Sequence, residues 1–200
     1  DENKLYAAEL LSIVASSHPK LDVEKILTAV AYYKKRDPAS PEEEECVENL
    51  FDALSASLLL PANRETFRAA EGFELMLRTM REKKYARTCA IRVLAHALDG
   101  KEGSVAEHVT RFVEAGGLKV LFPVLMGHHS ATHSSRKRKL SADDKAQVEK
   151  HVLLIVSTML SHSDGGAGGD PSITRLRLLA KFEENDGEKI DRLVELHVKY

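Results

Sequence analysis

The sequence predicts an all-α fold of stacked helical repeats, and three observations carry that expectation. Apolar residues recur at helical spacing in nearly every segment; Val47, Leu50, Phe51, Leu54 and Leu58, for example, share one face. Gly and Pro are sparse, at 11 and 6 of 200 residues, and Trp is absent, which suits helix more than sheet. Two stretches also repeat 45 residues apart. Phe67-Arg68-Ala69-Ala70-Glu71-Gly72-Phe73 aligns with Phe112-Val113-Glu114-Ala115-Gly116-Gly117-Leu118: an aromatic, four residues, a Gly and an apolar helix start. Helical periods of about 40–47 residues mark armadillo and HEAT arrays. The predicted architecture is an armadillo-like right-handed superhelix of stacked helix triplets, one repeat domain over residues 1–200. Such an array offers a long surface for another protein.

Each element has its own signal. Leu5, Ala8, Leu11 and Ala15 give a first helix that stops before Pro19. Val23, Ile26, Leu27, Val30 and Ala31 mark a second, ended by Asp37-Pro38. Ser40-Pro41-Glu42-Glu43 opens the third, with Ser as cap, Pro at the first position and Glu three residues after the cap. Short helices follow at about Asn63–Ala70 and Phe73–Met80, then a longer one at Tyr85–Leu98 with Ala86, Ala90, Val93, Leu94 and Ala97 inward. Ser104 and Glu107 read as a capping box for a helix to Ala115, and Leu118–Met126 forms the next. Ser141 and Asp144 cap a long helix whose Val148, Val152, Ile155, Val156 and Met159 make a wide apolar stripe. Gly165–Gly169 reads as a linker, Asp170-Pro171 as another helix start, and Asn185-Asp186 as the cap of the last helix. Repeat units are expected at about 4–18, 22–60, 61–99, 104–162 and 171–200. A third Phe-x4-Gly, Phe182 to Gly187, is a weak match because a charged residue follows the Gly.

Composition narrows the function class. Apolar residues reach 43%, enough for a sizeable core, while the 30% of charged residues nearly cancel to a formal −2, which argues against a general nucleic-acid binder. Cys46 and Cys89 stand apart without a Cys-x-x-Cys, so buried thiols in a reducing compartment are expected. No apolar run approaches the roughly 18–20 residues of a membrane span. The chain starts without Met and ends inside a helical pattern, so it is expected to be a fragment of a longer chain.

Groove residues are sought opposite the apolar stripes, at about 100° per residue. That places Glu45, Asn49 and Asp52 on the third helix, Thr88 and Arg92 on Tyr85–Leu98, and Lys150 on the last long helix. Glu45 and Asp52 suit a Lys or Arg of a basic peptide, and Asn49 suits its backbone amides. The alternative is a solvated helix face. The Glu42–Glu45 run is accounted for by favourable charge at a helix N-terminus. Arg136-Lys137-Arg138-Lys139 is a basic cluster in a polar loop, readable as a nuclear-localisation signal, a phosphate-contacting patch or a solvated loop. His128, His129 and His133 in the same loop lack fixed geometry, so neither a metal site nor a cofactor is expected. No Ser–His–Asp, Cys–His or His-Glu-x-x-His arrangement stands out, and no enzyme is expected.

Longer strings carry more than a fold. Glu48–Leu54, Asn63–Phe67, Leu77–Lys84 and above all the mixed string Lys181–His197 resemble the beta-catenin-like family of nuclear armadillo-repeat proteins. The resemblance runs from about Tyr6 to Tyr200 and identifies a central piece of such a chain. It departs from the family pattern at a short Ser17–Val23 and a recomposed Gly127–Leu140. The resemblance implies a nuclear, non-enzymatic scaffold of the spliceosome-associated Nineteen complex. Its partners would be splicing factors carrying basic nuclear-localisation-type segments. With no Trp, a Trp–Asn ladder of the importin type is not expected. The competing expectation is an RNA-binding helical-repeat protein using the loop 136–139. Neither a membrane nor direct nucleic-acid contact is expected of the scaffold, and its oligomeric state stays open.

Overall fold

The computed structural model describes residues 6–10, 22–100, 103–127, 140–163 and 172–200, and every regular element among them is helical. Residues 6–10 are helical. Ten α-helices follow among the described residues: α1 (Val23–Ala31), α2 (Pro41–Ser57), α3 (Pro61–Ala69), α4 (Gly72–Glu82), α5 (Arg87–Leu98), α6 (Val105–Glu114), α7 (Gly117–Leu125), α8 (Ala142–His162), α9 (Ile173–Glu183) and α10 (Glu188–Lys199). They group as short, short, long. Helices α3, α4 and α5 make one triplet, α6, α7 and α8 the next, and α9 and α10 open a third. The long third helices pack in series, α2 on α5 and α5 on α8.

Sequence signals set several boundaries as expected. The Ser40 hydroxyl accepts the Glu43 N–H at 3.2 Å. Ser141 and Asp144 exchange both bonds of a capping box, at 3.1 and 3.0 Å. The stripe Val148, Val152, Ile155, Val156 and Met159 is buried. Other signals fail. Ser104 sits in right-handed helical geometry (φ −70°, ψ −15°) and its hydroxyl caps nothing. A capping side chain needs extended backbone at that position; here the Ser104 carbonyl instead accepts from Glu107 and His108 N–H at 3.0 and 3.1 Å. Asn185 and Asp186 do not cap α10 either. Both take positive φ (53° and 54°) inside a 3-10 turn, and the residue before the helix is Gly187 at φ 81°. The expected start at Asp170-Pro171 and the linker Gly165–Gly169 lie outside the described residues. The described start of α9 is capped by Ser172, whose hydroxyl accepts from Arg175 N–H at 3.2 Å.

The 45-residue repeat has a steric cause. A Cβ on Gly72 would come within 2.5 Å of the Phe67 ring, and one on Gly117 within 2.4 Å of the Phe112 ring. Each ring lies flat on the glycine that opens the following helix. Each corner also turns through a left-handed residue, Glu71 at φ 57° and Gly116 at φ 87°. Phe67, Phe73 and Phe112 are wholly buried and meet edge to face, with centroids at 5.2 and 6.4 Å. The third Phe-x4-Gly is a different corner. There Asn185, Asp186 and Gly187 itself are all left-handed, and the nearest atom to the would-be Cβ of Gly187 is Ile190 Cδ1 at 3.7 Å, not Phe182. Phe182 packs on Phe122 instead, at 5.2 Å.

Consecutive units are also stitched by a buried arginine. Arg64 on α3 donates through Nη1 to the Leu58 carbonyl at 3.2 Å and to the Asp99 carbonyl at 2.5 Å, tying together the chain just past the ends of α2 and α5. Cys89 is buried as expected, Cys46 is only half-buried, and neither forms a disulfide. Replacing Gly72 or Gly117 by Ala is expected to cost about 1–3 kcal/mol in urea unfolding through overpacking. Gly103, with nothing within 4 Å of its would-be Cβ, is the control, and its Ala variant should stay within about 0.5 kcal/mol of the parent.

Candidate protein-binding face

A cleft of about 170 Å³ opens where the three long helices meet. Its walls include Glu48 of α2, Tyr85, Thr88 and Arg92 on and just before α5, and Gln147 and His151 of α8. Stacking alone positions them: each side chain flanks the buried stripe of its helix, where the neighbouring third helix abuts. The turn before α5 is fixed by Asp37, which accepts from Tyr85 N–H at 2.9 Å and pairs with Lys84 Nζ at 3.0 Å.

The charges in the cleft form one network. Glu48 Oε1 accepts from Tyr85 OH at 3.1 Å and from the Cys89 thiol at 3.5 Å, while its Oε2 accepts from Arg92 Nη2 at 3.2 Å. The same Nη2 lies 2.6 Å from Asp52 Oδ1. A single nitrogen thus serves two carboxylates, and Arg92 Nε is buried without a hydrogen-bond partner. Burial raises the Asp52 pKa above its ordinary value, against the opposing pull of Arg92. Burial also pushes the Cys89 thiol well above its usual range, so it stays protonated. Across the cleft the His96 and His151 rings stand 6.5 Å apart. Burial, with the charges of His96 and Arg92, drops the His151 pKa to about 4, so that ring is neutral at neutral pH. Among the described residues lining the cleft, Glu48 and Asp144 are acidic and Arg92 is the one fixed cation.

The residues expected from sequence fall in three groups. Thr88 and Arg92 line the cleft, and Asp52 joins them through Arg92 Nη2, 2.6 Å from its Oδ1. Glu45 is exposed and Asn49 half-buried on α2, outside the cleft lining but on the same helix surface; Glu45, Glu48 and Asp52 follow one row at spacings of three and four. Lys150 is not part of this set. It is exposed, with Nζ 5.6 Å from the Tyr200 ring centroid. Arg136, Lys137, Arg138 and Lys139 lie outside the described residues. Glu48, Tyr85, Gln147 and His151 were missed by a search directed straight away from the apolar stripe. The available signal was the spacing of Glu48 four residues before Asp52.

A second, wider opening of about 570 Å³ lies on the side of the first helices, with Arg68, Glu107, Thr110 and Arg111 on its walls. Arg68 there pairs with Glu65 at 2.8 Å and lies 3.7 Å from Glu107, and Arg111 pairs with Glu74 at 2.5 Å.

Stacked triplets with a polar face along their third helices define an armadillo-repeat protein. The whole chain, residues 1–200, matches the family described as Catenin-beta-like, Arm-motif containing nuclear, and it belongs to that family. It is 40% identical over its full length to rat "Beta-catenin-like protein 1" and 39% identical to the human protein of that name, covering 34% of each. The fission-yeast homologue is 32% identical over 98% of the chain, which covers 32% of that relative. The chain therefore spans about a third of the length of these relatives.

The neutral histidines give the face a pH signature. A folded pKa near 4 for His151, against about 6.5 unfolded, means the fold favours the neutral ring. That contribution is present above pH ~6.5 and is lost as pH falls toward 4. Arg92 and His96 of α5, Glu48 of α2 and Asp144 of α8 surround the ring. Thermal melts between pH 7 and 4 should show a smaller acid-induced fall in Tm for His151→Gln than for the parent; equal falls would rule the ring out.

Proposed function

We propose that this chain is part of a non-enzymatic scaffold that holds basic, nuclear-localisation-type segments of splicing factors, within the spliceosome-associated Nineteen complex. Membership of a family described as nuclear and Arm-motif containing supports the compartment and the scaffold class. The observation that carries the binding mode is the carboxylate row Glu45, Glu48 and Asp52 on α2: Glu48 lines a cleft in which Asp144 adds charge and Arg92 is the one fixed cation among the described lining residues, and Asp52 shares that cation.

Size and chemistry agree. The cleft suits a side chain or two of an extended segment rather than a folded ligand. Its Tyr85 hydroxyl, Thr88 and Gln147 offer donors and acceptors beside the charges. A lysine stem can lie on the neutral His151 and the apolar Val148 and Leu140 while its ammonium reaches Glu48 or Asp144.

The test is a pull-down of splicing factors and a titration with a Lys/Arg-rich peptide, comparing the parent with Glu45→Arg, Glu48→Gln. Removing two carboxylates of the row should weaken peptide binding about tenfold or more and steepen no other property of the fold. Undiminished binding by the folded double variant would remove the row from the account.

A further inference from the structure

The side chain now closest to both Glu48 and Asp52 is not a partner's but Arg92 of the neighbouring repeat, and its attachment is incomplete. A guanidinium that grips a carboxylate with its full fork uses two parallel N–H bonds. Arg92 instead divides Nη2 between Asp52 Oδ1 at 2.6 Å and Glu48 Oε2 at 3.2 Å. Its Nε is buried and makes no hydrogen bond. Two carboxylates therefore share one cation, and that cation leaves one of its own donors unsatisfied. An open volume of about 170 Å³ adjoins it, walled by Thr88, Gln147 and His151. Arg92 is 27% exposed at the side chain, so it has a path to solvent.

The geometry points to Arg92 as an internal stand-in for a ligand. It occupies the site of a partner's basic side chain, and binding proceeds by exchange, the incoming Lys or Arg entering the cleft and taking Glu48 and Asp52 while Arg92 rotates out toward solvent. This rests on the basic-segment reading above. Exchange sets a threshold: an isolated lysine gains little by replacing one cation with another, whereas a run of Lys and Arg also gains Glu45 and Asp144, which flank the network. The latch thus selects clustered basic residues over single ones. It also keeps two neighbouring carboxylates compensated while the face is empty.

The experiment is a fluorescence-anisotropy titration of a labelled Lys-Lys-Arg-Lys-Arg peptide into the parent, Arg92→Gln and Glu48→Gln proteins. Arg92→Gln is expected to bind about threefold to tenfold more tightly than the parent, and Glu48→Gln more weakly. The discrimination against a peptide with one Lys should also shrink in Arg92→Gln. If Arg92→Gln binds as well as or worse than the parent while Glu48→Gln binds worse, the latch is overturned and the basic-segment reading stands. If neither the parent nor Arg92→Gln binds, both fall. Should Arg92→Gln not fold, side-chain NMR of the parent decides: the Arg92 Nε–H signal must shift on saturation with the peptide, and an unmoved signal overturns the exchange.

Discussion

A phenylalanine ring laid flat on a glycine sets the corner on which each repeat is built. In the triplets that begin at α3 and α6, Phe67 covers Gly72 and Phe112 covers Gly117, with separations to a would-be Cβ of 2.5 and 2.4 Å. No other residue leaves room for the ring, so the first and second helices meet at one angle in both units. The second helices then present Phe73 and Leu118 to the core, and the ladder Phe67–Phe73–Phe112 carries the contact from one unit to the next. With the first two helices locked, the third has one way to lie, and α2, α5 and α8 come side by side. The cleft is a consequence of that register. A shift of the Phe67–Gly72 corner would move Arg92 relative to Glu48 and Asp52, which the preceding unit contributes.

The unit that follows breaks the pattern and shows what the rule requires. Between α9 and α10 the left-handed stretch is three residues, Asn185, Asp186 and Gly187, where the other corners have one. The second residue of α10, where α4 and α7 carry Phe73 and Leu118, is Lys189, which is 5% exposed. That ammonium is held by Glu184 and Glu188, both at 3.4 Å, while Asn185 donates to Glu188 at 2.6 Å. A polar knot replaces the aromatic lock. Its parts all come from the string Lys181–His197, which is why that string was so informative: a corner held by specific charge pairs tolerates fewer sequences than one held by apolar contact.

Periodic features were legible and geometric ones were not. The helices, the buried stripes and the caps at Ser40 and Ser141 follow from residue spacing and local hydrogen bonding, both of which are written within a few residues. Ser104 has the same signature as Ser141, yet the chain enters α6 already in helical geometry at Ser104 (φ −70°, ψ −15°), where its hydroxyl cannot cap. The site was half legible. A search opposite the apolar stripe found Asp52, Thr88 and Arg92 because they are polar and accessible. It passed over Glu48, one residue and about 100° from buried Val47, because residues at that flank become a wall only when a neighbouring helix arrives. Pairing across helices 40 or so residues apart leaves no mark at helical spacing. Lys150 was chosen by the same search, and its helix presents it to Tyr200 instead.

Two carboxylate centres on different repeats show how charge balance separates scaffold from site. Glu149 of α8 is nearly buried and receives Arg192 Nη2 at 2.9 Å, Lys199 Nζ at 2.5 Å and Tyr200 OH at 2.8 Å. Two cations serve one carboxylate. Burial pushes its pKa up, but those hydrogen bonds and charges outweigh burial and hold it below the ordinary value. The result is a clamp that fastens α10 to α8, reinforced by Arg192 Nε on the Leu125 carbonyl at 3.1 Å. At Glu48 and Asp52 the ratio is inverted, with one cation for two carboxylates, and the Asp52 pKa moves up rather than down. Desolvated negative charge that its own fold does not fully neutralise raises the free energy of the empty state, and any cation delivered from outside lowers it. The first centre has little to gain from a partner because its carboxylate already holds two cations, one of them shared with Glu195 at 3.0 Å. The second is poised to accept one, and its position across α2, α5 and α8 makes the acceptance depend on the stack that the glycine corners maintain.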